Sequence, residues 1–409
     1  MRWRRRHKSA VAIDRGACSF RAVQLVFTPE GPGVAHWINV ENLPKPADQG
    51  GRNLQTGSQA PEENGRALES PPTTHPAACP LPMEALAIES GLDQFGTTRA
   101  SLVAADVDYC LLQVPPAILS QEHESLAEAI RWEVGRQLTW PVEEAELAAW
   151  ALPAPMSSGS NAIAVAARRS GIVASVETLD ARHMECECVE PAAPALIRAC
   201  RATAQCEHGE IWGVLDLGHA ANRLCLAIEA GVVYARNVRG GGRAWTQAIA
   251  AELRIDPAIA EQYKRKYGIG TDPRGCRVLM GTMQPCSEAA LPGVLLAVLK
   301  GALTDLVTDV ERAFRFVMEQ YPRRQPGALV LAGGGARMPG LADWMARELG
   351  VRVAPAGAQG VLAVDPSHPL ARPANFSVMA GCIGLAMAEM EPTKGRRGLH
   401  PRPMQEIEP

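Results

Sequence analysis

Apolar positions along the chain change their period several times, and each change predicts an element. Residues 10–13 and 21–27 are short β-prone runs on either side of Asp14-Arg15-Gly16-Ala17. They predict two strands around a tight turn, with a third strand over 34–40. Residues 101–107 and 109–114 read as extended. Over 121–138, Leu126, Ala129, Ile130, Val134 and Leu138 recur at helical spacing, and Pro141 closes the helix. Residues 162–167 predict a buried strand, 171–182 a helix, and a further strand leads into a helix over 193–204. The opening pattern then returns. Residues 211–215 are apolar, Asp216-Leu217-Gly218-His219 makes a turn, 223–229 runs back, and Ala230-Gly231 turns into 232–238. A weak repeat half a chain apart predicts two similar domains facing each other. Residues 245–253 predict a helix. Residues 291–318 predict a long amphipathic one, with Leu295, Val298, Leu299, Ala302, Leu306, Val310 and Phe314 near one face. A short apolar strand over 328–331 runs into Gly333-Gly334-Gly335 and a helix over 338–349.

Composition divides the chain. Residues 44–82 are rich in Pro, Gly, Ser, Asn and Glu and cannot bury enough apolar surface to offset ordering, which predicts a disordered insertion. Residues 153–161 and 322–327 are shorter gaps, and 391–409 is a polar, Pro-rich tail. The net charge of -3 gives no global basic field, so nucleic acid is not expected as a partner. The basic cluster at residues 1–8 reads as a solvated end, with contact to anionic lipid the lesser alternative. No apolar h-region follows it, and no stretch approaches the roughly 20 apolar residues of a membrane span, so the chain reads as soluble and unexported. The 11 cysteines show no CxxC pair, and Cys186 with Cys188 lacks nearby partners, so free thiols are expected rather than disulfides or zinc. No HExxH or GxSxG occurs.

The remaining chemistry suits a phosphate ligand. Backbone N–H donors, close chain approach at glycine and a nearby carboxylate for Mg²⁺ are what phosphates need. Asp14-x-Gly16 and Asp216-x-Gly218 each supply a carboxylate and a glycine, though either alone also fits an ordinary turn. Gly333-Gly334-Gly335, between strand and helix, lets a ribose or base approach the backbone; a plain flexible turn is the alternative. Glu261 and Lys264 share one face of a predicted helix, which by itself reads as a surface ion pair.

In this order the four elements resemble the actin-like ATPase superfamily, and more narrowly PilM-type type IV pilus assembly proteins, relatives of the division protein FtsA. VAIDRGACSFRAVQL resembles the first phosphate loop, and VLDLGHAANRLCLAIEAGVVYARNVRGGGRAWTQAIAAEL the second loop with its following helix. LVLAGGGARMPGL resembles the adenosine loop. The stretch around Arg131, Trp132, Glu133 and Pro141 is the most specific, being similar to a PilM segment that sugar kinases lack.

The resemblance implies an α/β, actin-like ATPase fold: two facing ribonuclease-H-like domains with an inserted extra α/β subdomain. The first domain would span 1–43 and 83–208 with the insertion at about 100–170, and the second 209–390. It implies ATP or ADP with Mg²⁺ between the lobes. Asp14, Gly16, Ser19, Arg21, Asp216, Gly218, Gly241, Gly242, Glu261, Lys264, Gly333, Gly334 and Gly335 would bind nucleotide, and Asp14 and Asp216 would hold Mg²⁺ through water. The implied partners are the cytoplasmic N-terminal peptide of a PilN-like membrane protein, docked beside the extra subdomain, and other inner-membrane platform proteins of the pilus. Homo-oligomerisation stays open. The implied place is the cytoplasm, peripheral to the inner face of the membrane.

The chain departs from the family pattern at Arg15, Ala17 and Cys18, at His219-Ala220-Ala221-Asn222, and at Arg243 in place of an acidic residue. Two hydroxyl donors are missing from the first loop, and no residue is identifiable as a general base. The expectation is a scaffold with slow or absent hydrolysis, a weak ATPase at most. Three other readings remain at this stage. A sugar-kinase-type phosphotransferase would need an acidic base that the sequence does not offer. An FtsA-like division filament would need an amphipathic membrane helix that residues 393–409 cannot form. A degenerate actin-like domain would bind no nucleotide.

Overall fold

Two five-stranded sheets of the same topology carry the chain. The computed structural model describes residues 8–41, 92, 95–104, 106–115, 123–153, 159–270, 276–279, 282–285 and 288–389. The insertion expected at 44–82 and the tail at 391–409 lie outside the described residues.

The chain opens with β1 (Val11–Gly16), β2 (Ser19–Thr28) and β3 (Gly31–Glu41), an antiparallel meander, and then β4 (Arg99–Ala104). The next elements leave the sheet: β5 (Val107–Leu112), α1 (His123–Gly135), β6 (Ala145–Ala151) and β7 (Ala162–Arg168). The chain returns through α2 (Arg169–Asp180), β8 (Glu185–Pro191) and α3 (Ala192–Ala204). The second half repeats the plan with β9 (Ile211–Leu217), β10 (Asn222–Ile228) and β11 (Gly231–Val238), followed by α4 (Gly242–Leu253) and α5 (Pro257–Tyr267). A hairpin, β12 (Cys276–Leu279) with β13 (Thr282–Pro285), precedes α6 (Leu291–Gln320). Then come β14 (Pro326–Ala332), α7 (Leu341–Leu349), β15 (Arg352–Pro355) and α8 (Pro373–Ala388).

The sheet orders are β3-β2-β1-β4-β8 and β11-β10-β9-β14-β15. In each, the first three strands are antiparallel and the last two join in parallel, so each half is a closed copy of one plan. The third sheet, β5-β7-β6, is antiparallel. Leu126, Ile130 and Val134 of α1 cover one face of it, against Leu112, Ala149 and Ala164. Its other face, with Val107, Val165 and Trp150, turns to the body of the protein. Both faces of β7 are therefore covered, which is why its sequence is a continuous apolar run. Trp150 Nε1 donates to Val232 O at 3.0 Å and Asn237 Nδ2 to Val107 O at 3.0 Å, so this sheet is tied to β11 of the second half.

Helices α3 and α8 cross between the halves. Gly384 on α8 touches the backbone of Ala195, and a Cβ there would collide with the Ala195 carbonyl. Small residues, Ala195 and Ala199 on α3 and Gly384 on α8, permit this approach, while Gly381 faces the Asp14 carboxylate. Each large side chain buried on α8, such as Phe376 or Ile383, contributes about 1.5–3 kcal/mol of burial free energy.

Several sequence expectations need correction. Asp14, Gly16 and Asp216 sit in strands, not in turns, and the first turn is Ala17-Cys18. The helix expected from 338 starts at Leu341, after a 3-10 turn over Gly334–Arg337. By length and composition α6 is apolar enough to cross a membrane, contrary to the expectation that no stretch would be. In the fold, Leu295, Leu299, Leu303, Leu306, Val310 and Phe314 of α6 are buried in the main core.

Candidate functional site

Strand pairing sets the site. On β1, Asp14 lies in register opposite Arg21 of β2, and on β9, Asp216 lies opposite Arg223 of β10. Directly opposed side chains on one face of a sheet meet, and here they form ion pairs. Arg21 Nη1 donates to Asp14 Oδ2 at 2.8 Å, and Arg223 Nη1 donates to Asp216 Oδ2 at 3.0 Å. The two pairs lie near each other, since Asp14 acts on both Asp216 and Arg223, and Asp216 acts on Arg21. Burial pushes the Asp216 carboxyl up, Arg223 pulls it down, and the nearby Asp14 pushes it up again, leaving it above the ordinary carboxylate value. Burial depresses the Arg21 guanidinium, but Asp14, Cys382 and Asp216 outweigh that and hold it above its ordinary value.

The glycine junction closes on the same cluster. Gly333 has φ +76°, and a Cβ there would collide with Asp216 Oδ1 and Leu217 O. Its N–H donates to Ser377 O of α8 at 2.8 Å. Gly335 packs on the Leu217 side chain, whereas Gly334 faces open space. On the first hairpin, Gly16 leaves room for Ser19 Oγ.

The start of α4 is docked on the β9–β10 turn. Gly242 N donates to Gly218 O and Arg243 N to His219 O, both at 2.9 Å. A Cβ on Gly241 would overlap the backbone of His219 and Ala220. Lys264 of α5 reaches back to this point. Its Nζ donates to Gly242 O at 2.8 Å and Thr246 Oγ1 at 2.7 Å, and pairs with Glu261 Oε2 at 2.5 Å. Thr246 Oγ1 donates to the same Glu261 oxygen at 2.5 Å. Burial pushes Glu261 up, but hydrogen bonds from Lys264 and Thr246 outweigh it and hold the carboxyl at about 2. Glu261 and Lys264 are thus a buried brace between α4 and α5, not the surface pair their spacing alone suggests.

Every expected site residue except Gly334 joins this contiguous assembly. Four contributors were missed in the sequence. Arg223 repeats the spacing of Arg21, seven residues after the aspartate, and that repeat could have found it. Glu41, at the end of β3, pairs with Arg265 at 3.0 Å and with Arg337, linking the first half to α5 and the glycine junction. These long-range pairs leave no local sequence signal. A cavity of about 790 Å³ lies elsewhere, against α3 and the β10–β11 turn, lined by Arg201, Trp212 and Glu229 and by none of these site residues.

The expectation that Asp14 and Asp216 hold Mg²⁺ fits this geometry poorly. Each carboxylate already carries a guanidinium at hydrogen-bond distance. Among the described residues, no three His, Cys, Asp or Glu side chains converge to hold a metal ion.

The duplicated sheet plan, the crossing helices and the neighbouring aspartates define an actin-like ATPase fold. The protein of a solved PilM–PilN type IV pilus biogenesis complex shares it at TM-score 0.67 and 22% identity, covering 94% of this chain and 99% of that one. The ethanolamine utilization protein EutJ from Carboxydothermus hydrogenoformans aligns at TM-score 0.44 and 13% identity, over 94% and 91% of the two chains. MreB5 of Spiroplasma citri bound to ADP aligns at 0.43 and 12%, over 91% and 94%. Residues 113–284 match the family of type IV pilus assembly protein PilM. The family match over these residues agrees with the resemblance to PilM seen in the motifs, and the solved PilM chain shares the fold over nearly its whole length. No curated protein matches the chain in sequence.

Proposed function

We propose that the chain is a nucleotide-binding scaffold of a type IV pilus or type II secretion-like machine, docking the cytoplasmic N-terminal peptide of a PilN-like inner-membrane protein. It works in the cytoplasm at the inner face of that membrane, alongside other platform proteins of the machine. The observation that carries this reading is the inserted sheet β5-β7-β6 with α1, of which α1, β6 and β7 lie within the PilM-matched residues 113–284. A second copy of the ordinary fold would not need it, and a docking subdomain would.

The nucleotide would lie between the halves. Its phosphates would face the Asp14 and Asp216 hairpins, and its nucleoside would lie between the Gly333–Gly335 junction and α5. Turnover would be slow or absent. The carboxylates are engaged by arginines, the Lys264 ammonium is engaged by Gly242 O, Thr246 and Glu261, and the amides of Gly242 and Arg243 at the start of α4 already have partners. A carboxylate that already accepts from a guanidinium is a weaker proton acceptor, and occupied donors give a developing phosphate charge less stabilisation. ATPase rate and nucleotide affinity of the purified chain, with Asp14→Ala and Asp216→Ala, test the scaffold reading. It predicts measurable affinity without appreciable turnover. Brisk hydrolysis abolished by Asp216→Ala would refute it.

A further inference from the structure

We propose that Arg21 and Arg223 take the place of a divalent cation, so that the cleft binds a nucleoside di- or triphosphate as the metal-free anion. This rests on the nucleotide reading above, and it specifies the charge state of the ligand. The first observation is the symmetry of the two ion pairs. An arginine stands opposite the aspartate in each half, at the same register position, so the same guanidinium–carboxylate pairing occurs in both halves. The second is charge balance. Asp14, Asp216, Arg21 and Arg223 form one electrostatic cluster, since Arg21 acts on both aspartates and Arg223 does too. Two carboxylates against two guanidiniums sum to zero. A divalent cation would enter a cluster with no net negative charge, in which a guanidinium already occupies Oδ2 of each carboxylate.

The third observation is the kind of hydrogen-bonding capacity left over. Arg21 spends Nη1 on Asp14, while its buried Nε has no hydrogen-bond partner. Asn222, the residue before Arg223, is 2% exposed, and its Oδ1 also has no partner. Its amide presents oxygen or N–H according to its flip. A metal requires several acceptor oxygens and Asn222 offers at most one, whereas the surplus at Arg21 is a donor. Guanidinium offers five N–H groups in a fork that matches phosphate oxygens, so an arginine can keep its carboxylate and still bind phosphate. The missing loop hydroxyls fit the same picture, because charge-assisted donors are the stronger ones.

The test is titration calorimetry of ADP into the full chain, once in excess Mg²⁺ and once in EDTA. A second arm reads Mn²⁺ binding by electron paramagnetic resonance, with and without ADP. The proposal expects ADP affinities in the two buffers to agree within about threefold and Mn²⁺ to stay free of the protein. It expects Arg223→Gln, checked for folding by circular dichroism, to weaken ADP by about tenfold or more in EDTA. Affinity lost in EDTA, stoichiometric Mn²⁺ binding by the unaltered chain, or full affinity in folded Arg223→Gln would each overturn it. Binding seen only with Mg²⁺ leaves the nucleotide reading standing and removes this proposal alone. No binding in either buffer removes both. The unaltered chain decides the matter even if the variant does not fold.

Discussion

Removing Arg223 and the charge of Asp216 together should cost less than the sum of the two single losses. The pair is 3.0 Å apart, with side chains 14% and 23% exposed. At that separation the attraction is about 5 kcal/mol for an effective dielectric near 20, before desolvation is subtracted. Breaking a buried pair from one side costs about 3–5 kcal/mol, because the remaining charge is stranded. The residual exposure here lowers the expectation to about 2–4 kcal/mol for Arg223→Met. Asp216→Asn should cost a similar amount by stranding Arg223. The double variant should recover about 2 kcal/mol of the summed loss. The assay is urea denaturation followed by circular dichroism, read at the first cooperative transition of each variant. The exposed pair Arg168–Glu144, 48% and 59% exposed, serves as control and should couple by less than about 1 kcal/mol. Additive losses at Asp216 and Arg223, within about 0.5 kcal/mol, would refute the claim that the site is held together by internal charge pairing.

Gly384→Val should be among the most damaging single changes, since its Cβ meets the Ala195 backbone, which cannot rotate away. A loss above about 3 kcal/mol or failure to fold is expected, read as a fall in Tm, and a neutral variant would contradict the helix crossing described. The Glu261 carboxyl is held at about 2, below its ordinary value, so its contribution is present above the ordinary carboxylate range and is lost as pH falls toward that value. Thermal melts between about pH 6 and pH 3 should therefore show a smaller acid loss in Glu261→Gln than in the unaltered chain, and equal slopes would contradict the brace.

The opening strands of each half were legible because each is a dense β-prone run bounded by turn residues. The turns are expected at the aspartates, earlier in the chain than they fall, since pairing extends each hairpin beyond its apolar stretch through Asp14–Arg21 and Asp216–Arg223. Helix α8 was not read at all. It is apolar on every side, being buried between both halves, so it shows no amphipathic stripe. Strand β6 escaped for a related reason: α1 covers Ala149 while Trp150 packs on the other side, which blurs the alternation. Strand β15 is only four residues long. The glycines and carboxylates of the site were visible as motifs. What they touch was not, because Glu41, Arg265 and Arg337 meet only after the halves are assembled.

In the proposed function this fold serves as a docking scaffold. The most direct measurement is fluorescence anisotropy of a labelled peptide, the cytoplasmic N-terminal segment of a PilN-like membrane protein, titrated with the full chain. Saturable one-to-one binding, unchanged by Asp216→Asn in folded protein and absent for a scrambled peptide, is predicted. Binding no better than the scrambled control would contradict the account.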